Sequence, residues 1–285
     1  LSTEQSAGTR TGHLVKPTGG GIRSMLTYNL IADRRYVKVS LLSQLLTPVL
    51  YLLSLGLGLG SVVNAHGGAG TLGTSYLSFI APALIAATAL QVAAGDAAYP
   101  ILYGGFKYQR IYFGISATPM PAGQLARAVL TWISCKASAA AVIYLAIVAC
   151  FGGIRSPGAL LCVPVATLGA MALAAPIAAL SATVQDEGGS FNLIFRFLVT
   201  PMVLFSGIFY PISALPEWGQ ALAWLSPLWH AAELARWVSL GPLHLSSGVG
   251  SLSGGLVLAH LAFLTVLTVA GVRLTIWRFG VRLYR

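Results

Sequence analysis

Charge is scarce in this chain, and acid is scarcer than base. Asp, Glu, Lys and Arg make up 8 % of the 285 residues, seven acidic against seventeen basic. Soluble domains carry about a quarter charged residues, so an ordinary soluble fold is excluded. Cysteine is nearly absent: Cys135, Cys150 and Cys162 form no CxxC pair and no Cys/His cluster. That excludes zinc-ligand spacing and a disulfide framework and leaves small apolar packing residues. No GxxxxGK[ST] loop is present, and Gly104-Gly105-Phe106-Lys107 imitates only its end. HExxH, GxSxG and HxE…CxxC are missing too. His66, His230, His244 and His260 lie without ligand spacing and read as packing or interface residues. No catalytic, cofactor-binding or metal-ligating residue is assigned.

Apolar length is what remains. The chain is 56 % apolar with a mean hydropathy of +0.79. Several apolar stretches run to about 20 residues, enough to cross a hydrocarbon core of roughly 30 Å. The expected fold is an all-α polytopic membrane protein. Six spans fall at about 39–60, 76–96, 125–150, 159–182, 195–213 and 252–276. Residues 1–38 stand apart as a cytoplasmic tail and interfacial helix, and residues 39–285 form the transmembrane domain. The tail, 1–21, is rich in Gly, Thr and Ser and reads as disordered. From Ile22, one helix side collects Ile22, Met25, Leu26 and Leu30, which suits an interfacial helix or a plain basic juxtamembrane segment. No cleavable signal peptide is visible ahead of Val39, so the first span would act as an uncleaved insertion signal.

The net charge of +10 is not a nucleic-acid footprint. Its bases cluster at span flanks, six within residues 1–38 and three within the last eight. Taking the N-terminal tail, 97–124, 183–194 and 277–285 as one side gives eleven Lys/Arg, against Arg155 and Arg236 opposite. The positive-inside bias then places both termini in the cytoplasm. Two loops are long: a cytoplasmic one over 97–124 and an external one over 214–251. Long loops in compact proteins tend to carry function.

Within the spans, Ala166, Ala170, Ala174, Ala178 and Ala182 form a four-residue repeat, and Gly56 with Gly60 forms one GxxxG. Such ridges let helices approach closely, although an Ala-rich composition also generates them. Lys136 is the outlying charge, about twelve residues into its span. It either lines a substrate route, snorkels, or marks a shifted register. No acid lies within a predicted span core to pair with it, and Asp96, at the end of its span, is too shallow in this register.

The cytoplasmic loop interleaves Tyr99, Tyr103, Phe106, Tyr108, Tyr112 and Phe113 with Lys107 and Arg110. Such a segment suits either an interfacial aromatic belt or insertion into a groove of a partner. The external loop holds four of the six tryptophans, Trp218, Trp224, Trp229 and Trp237, broken up by Pro211, Pro216 and Pro227. Short helices dipping back into the interface fit that pattern. Glu233 and Arg236 are three apart and share a helix face, as a structural pair or as a substrate contact.

The order Phe205-Ser-Gly-Ile-Phe-Tyr-Pro-Ile212, Leu215-Pro216, Pro227-Leu228-Trp229-His230 and Arg236 resembles the C-terminal signature of ABC-2 type transport permeases. That group includes the NodJ-like and daunorubicin-exporter-like membrane subunits; Thr118-Pro119 before the third span is similar as well. The resemblance implies a permease subunit of an ATP-driven exporter, moving an amphiphile outward by alternating access. The cargo class would be a lipid, lipo-oligosaccharide, polyketide or hydrophobic drug. It implies that Phe106, Lys107, Tyr108, Arg110, Tyr112 and Phe113 couple to a separate ABC ATPase, which carries ATP and Mg. A second permease protomer, identical or related, and membrane lipid complete the partners. Spans 2 and 5 would line the route, with Lys136, Phe205, Phe209 and Tyr210 as candidates. Trp218, Trp224, Trp229, Glu233 and Arg236 would form the external cap. Two other classes stay open: a lipid-modifying enzyme using Glu217, His230, Glu233 or His244, and an ion-coupled transporter, which would need carboxylates inside the spans.

Overall fold

Helices supply all regular structure among the described residues of the computed structural model, namely 20–34, 46, 48–67, 72, 74–154, 156–184, 189–240 and 254–284. The predicted tail up to residue 19, Arg35, Lys38, Arg155 and the external stretch 241–253 with His244 lie outside them. We number the elements α1 (Gly21–Asp33), α2 (Pro48–Ala65), α3 (Tyr76–Lys107), α4 (Ile111–Ser116) and α5 (Ala122–Cys150). Then follow α6 (Pro157–Ser181), α7 (Phe191–Phe205), α8 (Glu217–Leu225), α9 (Pro227–Leu240) and α10 (Gly254–Tyr284).

Five of these, α2, α3, α5, α6 and α10, are long and apolar enough to cross a membrane. The fifth predicted span corresponds to α7, a shorter apolar helix that begins and ends earlier than 195–213. It stops at Phe205 because Gly207 takes φ +67, a left-handed conformation that only glycine adopts without strain. A Cβ there would also lie 2.7 Å from Ile212 Cγ2.

The largest departure from the sequence-based boundaries is α3. Its start is where the pattern placed it, capped by Ser75, whose hydroxyl accepts from Ser78 N at 3.4 Å. Its end is eleven residues later, at Lys107 rather than 96. Pro100 has no N–H for the Asp96 carbonyl, and the helix widens there into π turns instead of breaking.

α3 is also the centre of the protein. In its most apolar stretch 89 % of residues are buried, against 22 % for α2 and for α10. Span 2 is therefore largely enclosed by the other helices of its own chain. The exposed apolar faces belong to α2 (Leu50, Leu53, Leu57), α7 (Phe197, Leu198, Leu204) and α10 (Leu258, Val266). Lipid tails are as apolar as these side chains, so the interior is held by close packing rather than by escape from water. Small residues supply that packing. Ala166, Ala170, Ala174 and Ala178 of α6 and Ala182 just after it are all buried, and the main neighbours of α6 are α3 and α10. The GxxxG of α2 lies against α3, where Leu77 and Tyr76 approach Gly56 and Gly60.

α1 forms as a helix and packs beside α5, with Met25 buried and Leu30 62 % exposed. Leu30 thus lies off the side it was expected to share with Met25.

Candidate functional site

Three groups of side chains stand out along the length of α3. At its Lys107 end the aromatic loop is folded rather than open. Phe106 is buried between Tyr112, Phe113 and Phe279 of α10, with ring centroids 5.0, 6.0 and 5.1 Å away. Arg282 of α10 lies over the Phe106 ring at 4.4 Å and donates to the carbonyls of Ser181 and Val184. Gly105 has no side chain because the Tyr112 ring occupies that space. Burial pushes the Tyr112 phenol upward, so it stays neutral. Tyr99 and Tyr103 stack on the other side, and Tyr99 reaches Phe195 of α7 at 5.7 Å. Of the six residues expected to couple, Phe106 and Tyr112 hold the segment down. Tyr108 and Arg110 are exposed at its tip, and Arg110 has φ 51. Lys107 and Arg110 lie near the Tyr108 and Phe113 rings at 5.5 and 5.0 Å.

Lys136 is not unpaired. Its Nζ lies 2.8 Å from Asp96 Oδ2 and 3.1 Å from Asp33 Oδ2. The sequence-based register misjudged Asp96 because it ended the span there; with α3 running on to Lys107, Asp96 faces Lys136 on α5. Asp33, in the last turn of α1, is the second partner, and Trp132 Nε1 donates to its Oδ2 at 3.2 Å. A membrane helix therefore does carry a carboxylate, bound in an ion cluster.

At the Tyr76 end Arg236 of α9 is fully buried. Its Nη1 donates to Glu233 Oε1 at 2.7 Å, its Nη2 to the Gly207 and Ile208 carbonyls, and its Nε to the Phe79 carbonyl at 3.1 Å. The guanidinium also covers the Phe79 ring at 3.9 Å. Tyr76 Oη donates to the Phe209 carbonyl, Ser206 pairs with Ser226, and Tyr210 Oη donates to the Leu204 carbonyl. The signature residues thus fasten α7, its turn and α9 onto the start of α3. Phe209 meets Tyr51 of α2, and Phe205 meets Trp218. Trp218 and Trp224 are exposed on α8, whereas Trp229 packs on His230 and His260.

Sequence spacing missed that last pair. His230 Nδ1 and His260 Nδ1 are 2.6 Å apart, although thirty positions separate them. The Trp224 carbonyl can only accept, so His230 Nε2 carries the proton and the neutral ring offers Nδ1 to His260. Burial lowers the His230 pKa to about 4; the Trp224 hydrogen bond opposes this and His260 adds to it.

A model of the ABC-2 type transporter family matches residues 21–240, from α1 to the end of α9. The chain belongs to that family. This ABC-2 type transporter chain is similar to nodulation protein J of Rhizobium meliloti, at 28 % identity over 227 residues, covering 79 % of this chain and 84 % of the relative. The Bradyrhizobium diazoefficiens nodulation protein J is 31 % identical over 216 residues, covering 74 % and 78 %. That of Rhizobium leguminosarum bv. trifolii is 29 % identical over 214 residues, covering 75 % and 79 %.

ABC-2 type permeases are multi-pass membrane components of transporters and are not themselves catalytic. Two of the side chains weighed for an enzyme are engaged with neighbours. Glu233 is held by Arg236 and His230 by His260.

Proposed function

We propose that this ABC-2 type membrane component is the permease subunit of an ATP-driven exporter in a bacterial inner membrane, with both termini cytoplasmic. Its ATP and Mg would sit on a separate ABC ATPase, the kind of partner with which this family normally works. A second permease protomer, identical or related, would complete the translocation unit.

The observation that carries this reading is α3 itself. One continuous helix of 32 residues joins the aromatic loop to the external cap. At about 1.5 Å per residue it spans some 45 Å. Phe106 and Arg282 clamp its cytoplasmic end, and Arg236 grips its outer end at Phe79. A push on Tyr108 and Arg110 from the ATPase would pass along this enclosed rod to α9 and the α7 turn. The exposed faces of α2 and α7, with Phe205, Phe209 and Tyr210 near their outer ends, would then separate from the facing protomer. Lys136 is the proposed polar contact of the route. Apolar and aromatic faces of this extent suit an amphiphilic cargo.

Cysteine cross-linking tests the docking. Cys135 and Cys150 are exposed and are replaced first. Tyr108→Cys should then cross-link to the ATPase, and Val142→Cys, on an exposed part of α5, should not. Equal cross-linking at both positions would remove the docking assignment.

A further inference from the structure

Arg127 on α5 and Arg273 on α10 are exposed, and no carboxylate among the described residues lies within 4 Å of either. The described acids are engaged elsewhere. Asp33 and Asp96 hold Lys136, Glu233 holds Arg236, and Glu217 opens α8. Lys136 is nine residues from Arg127, half a turn round α5, so its two acids face away from that arginine. The two arginines flank one seam. Ala122 N at the start of α5 donates to Tyr284 Oη at the end of α10, so the helices run in opposite directions. A Cβ on Gly123 would lie 3.5 Å from Ile276 Cγ2. Arg127 is one turn along α5 from that contact and Arg273 one turn back along α10, both on its membrane side.

Deeper along the same seam, α5, α6 and α10 form a groove of about 440 Å³ lined by Ser134, Ser138, Val163, Thr167, Leu168 and Thr268. Ser134 is seven residues from Arg127, two turns on along the same face of α5. All six lining residues are half-buried, so the groove opens on the outer surface of the bundle and a chain enters it sideways with no helix displaced. Ser138 and Thr167 satisfy each other at 2.9 Å. Thr268 Oγ1 is buried without a partner, whereas Thr275, two turns on, reaches the Ala175 carbonyl at 2.8 Å. An unpaired hydroxyl at membrane depth is costly, and an acceptor relieves it. Arg273 lies nineteen residues after Gly254, about 28 Å along α10 and close to the far edge of a hydrocarbon core of roughly 30 Å. Trp277, one turn further and 56 % exposed, sits where indoles gather at the interface. From the interface inward the seam thus presents cations, then a hydroxyl donor, then apolar walls. A phospholipid presents phosphate, ester carbonyl and acyl chain in the same order.

We propose that this seam is a binding site for an anionic diacyl phospholipid of the leaflet at the Lys107 end of α3. Arg127 and Arg273 hold its phosphate, Thr268 donates to an ester carbonyl, and an acyl chain lies against Val163 and Leu168. A zwitterionic headgroup brings its own cation beside the two arginines and binds less well. The site needs only a membrane-embedded chain and does not depend on the export reading.

The test is native mass spectrometry of the full chain in detergent, titrated with phosphatidylglycerol or phosphatidylcholine of identical chains. Both arginines are exposed, so Arg127→Gln with Arg273→Gln leaves the fold intact. The double variant should weaken phosphatidylglycerol binding about thirtyfold, about fivefold for each guanidinium, and leave phosphatidylcholine unchanged. Arg196→Gln removes an exposed charge from α7, away from the seam, and should change neither. Thr268→Val should weaken the diester lipid severalfold and leave its diether analogue, which has no carbonyl, unchanged. Equal affinity for the two headgroups in the parent, or an equal loss in Arg196→Gln, would overturn the anionic site. An equal effect of Thr268→Val on diester and diether lipid would overturn the carbonyl contact.

Discussion

Arg236 Nη2 donates to the Gly207 carbonyl at 2.6 Å across twenty-nine positions of sequence. This bond ties α9 to the turn that ends α7, and the same guanidinium reaches Phe79 on α3. Arg236→Met would leave Glu233 buried without its partner and two turn carbonyls without a donor. The expected loss is about 3–5 kcal/mol, read as a lower melting temperature in detergent. Arg236→Lys should recover only part, because an ammonium lacks the forked donor geometry. Gly207→Ala should cost about 1–2 kcal/mol from its left-handed φ alone.

The Lys136–Asp96 pair predicts strong coupling in a double-mutant cycle. Lys136→Leu strands Asp96 and should cost on the order of 2–4 kcal/mol, less than a fully enclosed pair because the ammonium is 26 % exposed. Asp96→Leu in the same background should restore most of that loss, since two apolar groups replace two charges. Additive losses, measured by thermal denaturation, would show that the two side chains do not depend on each other.

His230 sets a pH dependence with a definite sign. Its pKa falls from 6.5 to about 4 in the folded protein, so the unfolded chain binds the proton first on acidification. This contribution to stability is complete above pH 7 and is lost as the pH falls from about 6.5 towards about 4. Melting temperatures across that range should drop in the parent and drop less in His230→Phe. Identical slopes would contradict the neutral His230–His260 pair.

The helical membrane class and four of the spans were legible because a long apolar run needs no tertiary context to be read. The end of α3 was not, since Tyr99, Pro100 and Gly104-Gly105 look like a loop until α10 supplies Phe279 and Arg282 to pack on it. The Glu233–Arg236 pair was visible as a three-residue spacing, but Arg236's hold on Gly207, Ile208 and Phe79 joins distant segments. Asp33–Lys136 and His230–His260 were hidden for the same reason: they pair across helices, and neither spacing nor periodicity records which helices touch.

Exposure divides the proposed coupling segment into two kinds of residue. Tyr108→Asp and Arg110→Glu lie at the exposed tip and should leave expression and melting within about 0.5 kcal/mol of the parent. Phe106→Asp puts a charge among Tyr112, Phe113 and Phe279, and should destabilise the protein itself by several kcal/mol. Docking is therefore tested by the tip variants, because failure of Phe106→Asp would report misfolding.

The most direct test is purification of the tagged chain in mild detergent from native-level expression, with its partners identified and ATPase activity measured. The account predicts a stoichiometric subunit carrying a Walker motif, lost in the Tyr108→Asp, Arg110→Glu double variant while the permease stays folded. A well-folded chain that purifies without any ATPase, or one whose ATPase binding ignores that double variant, would contradict it.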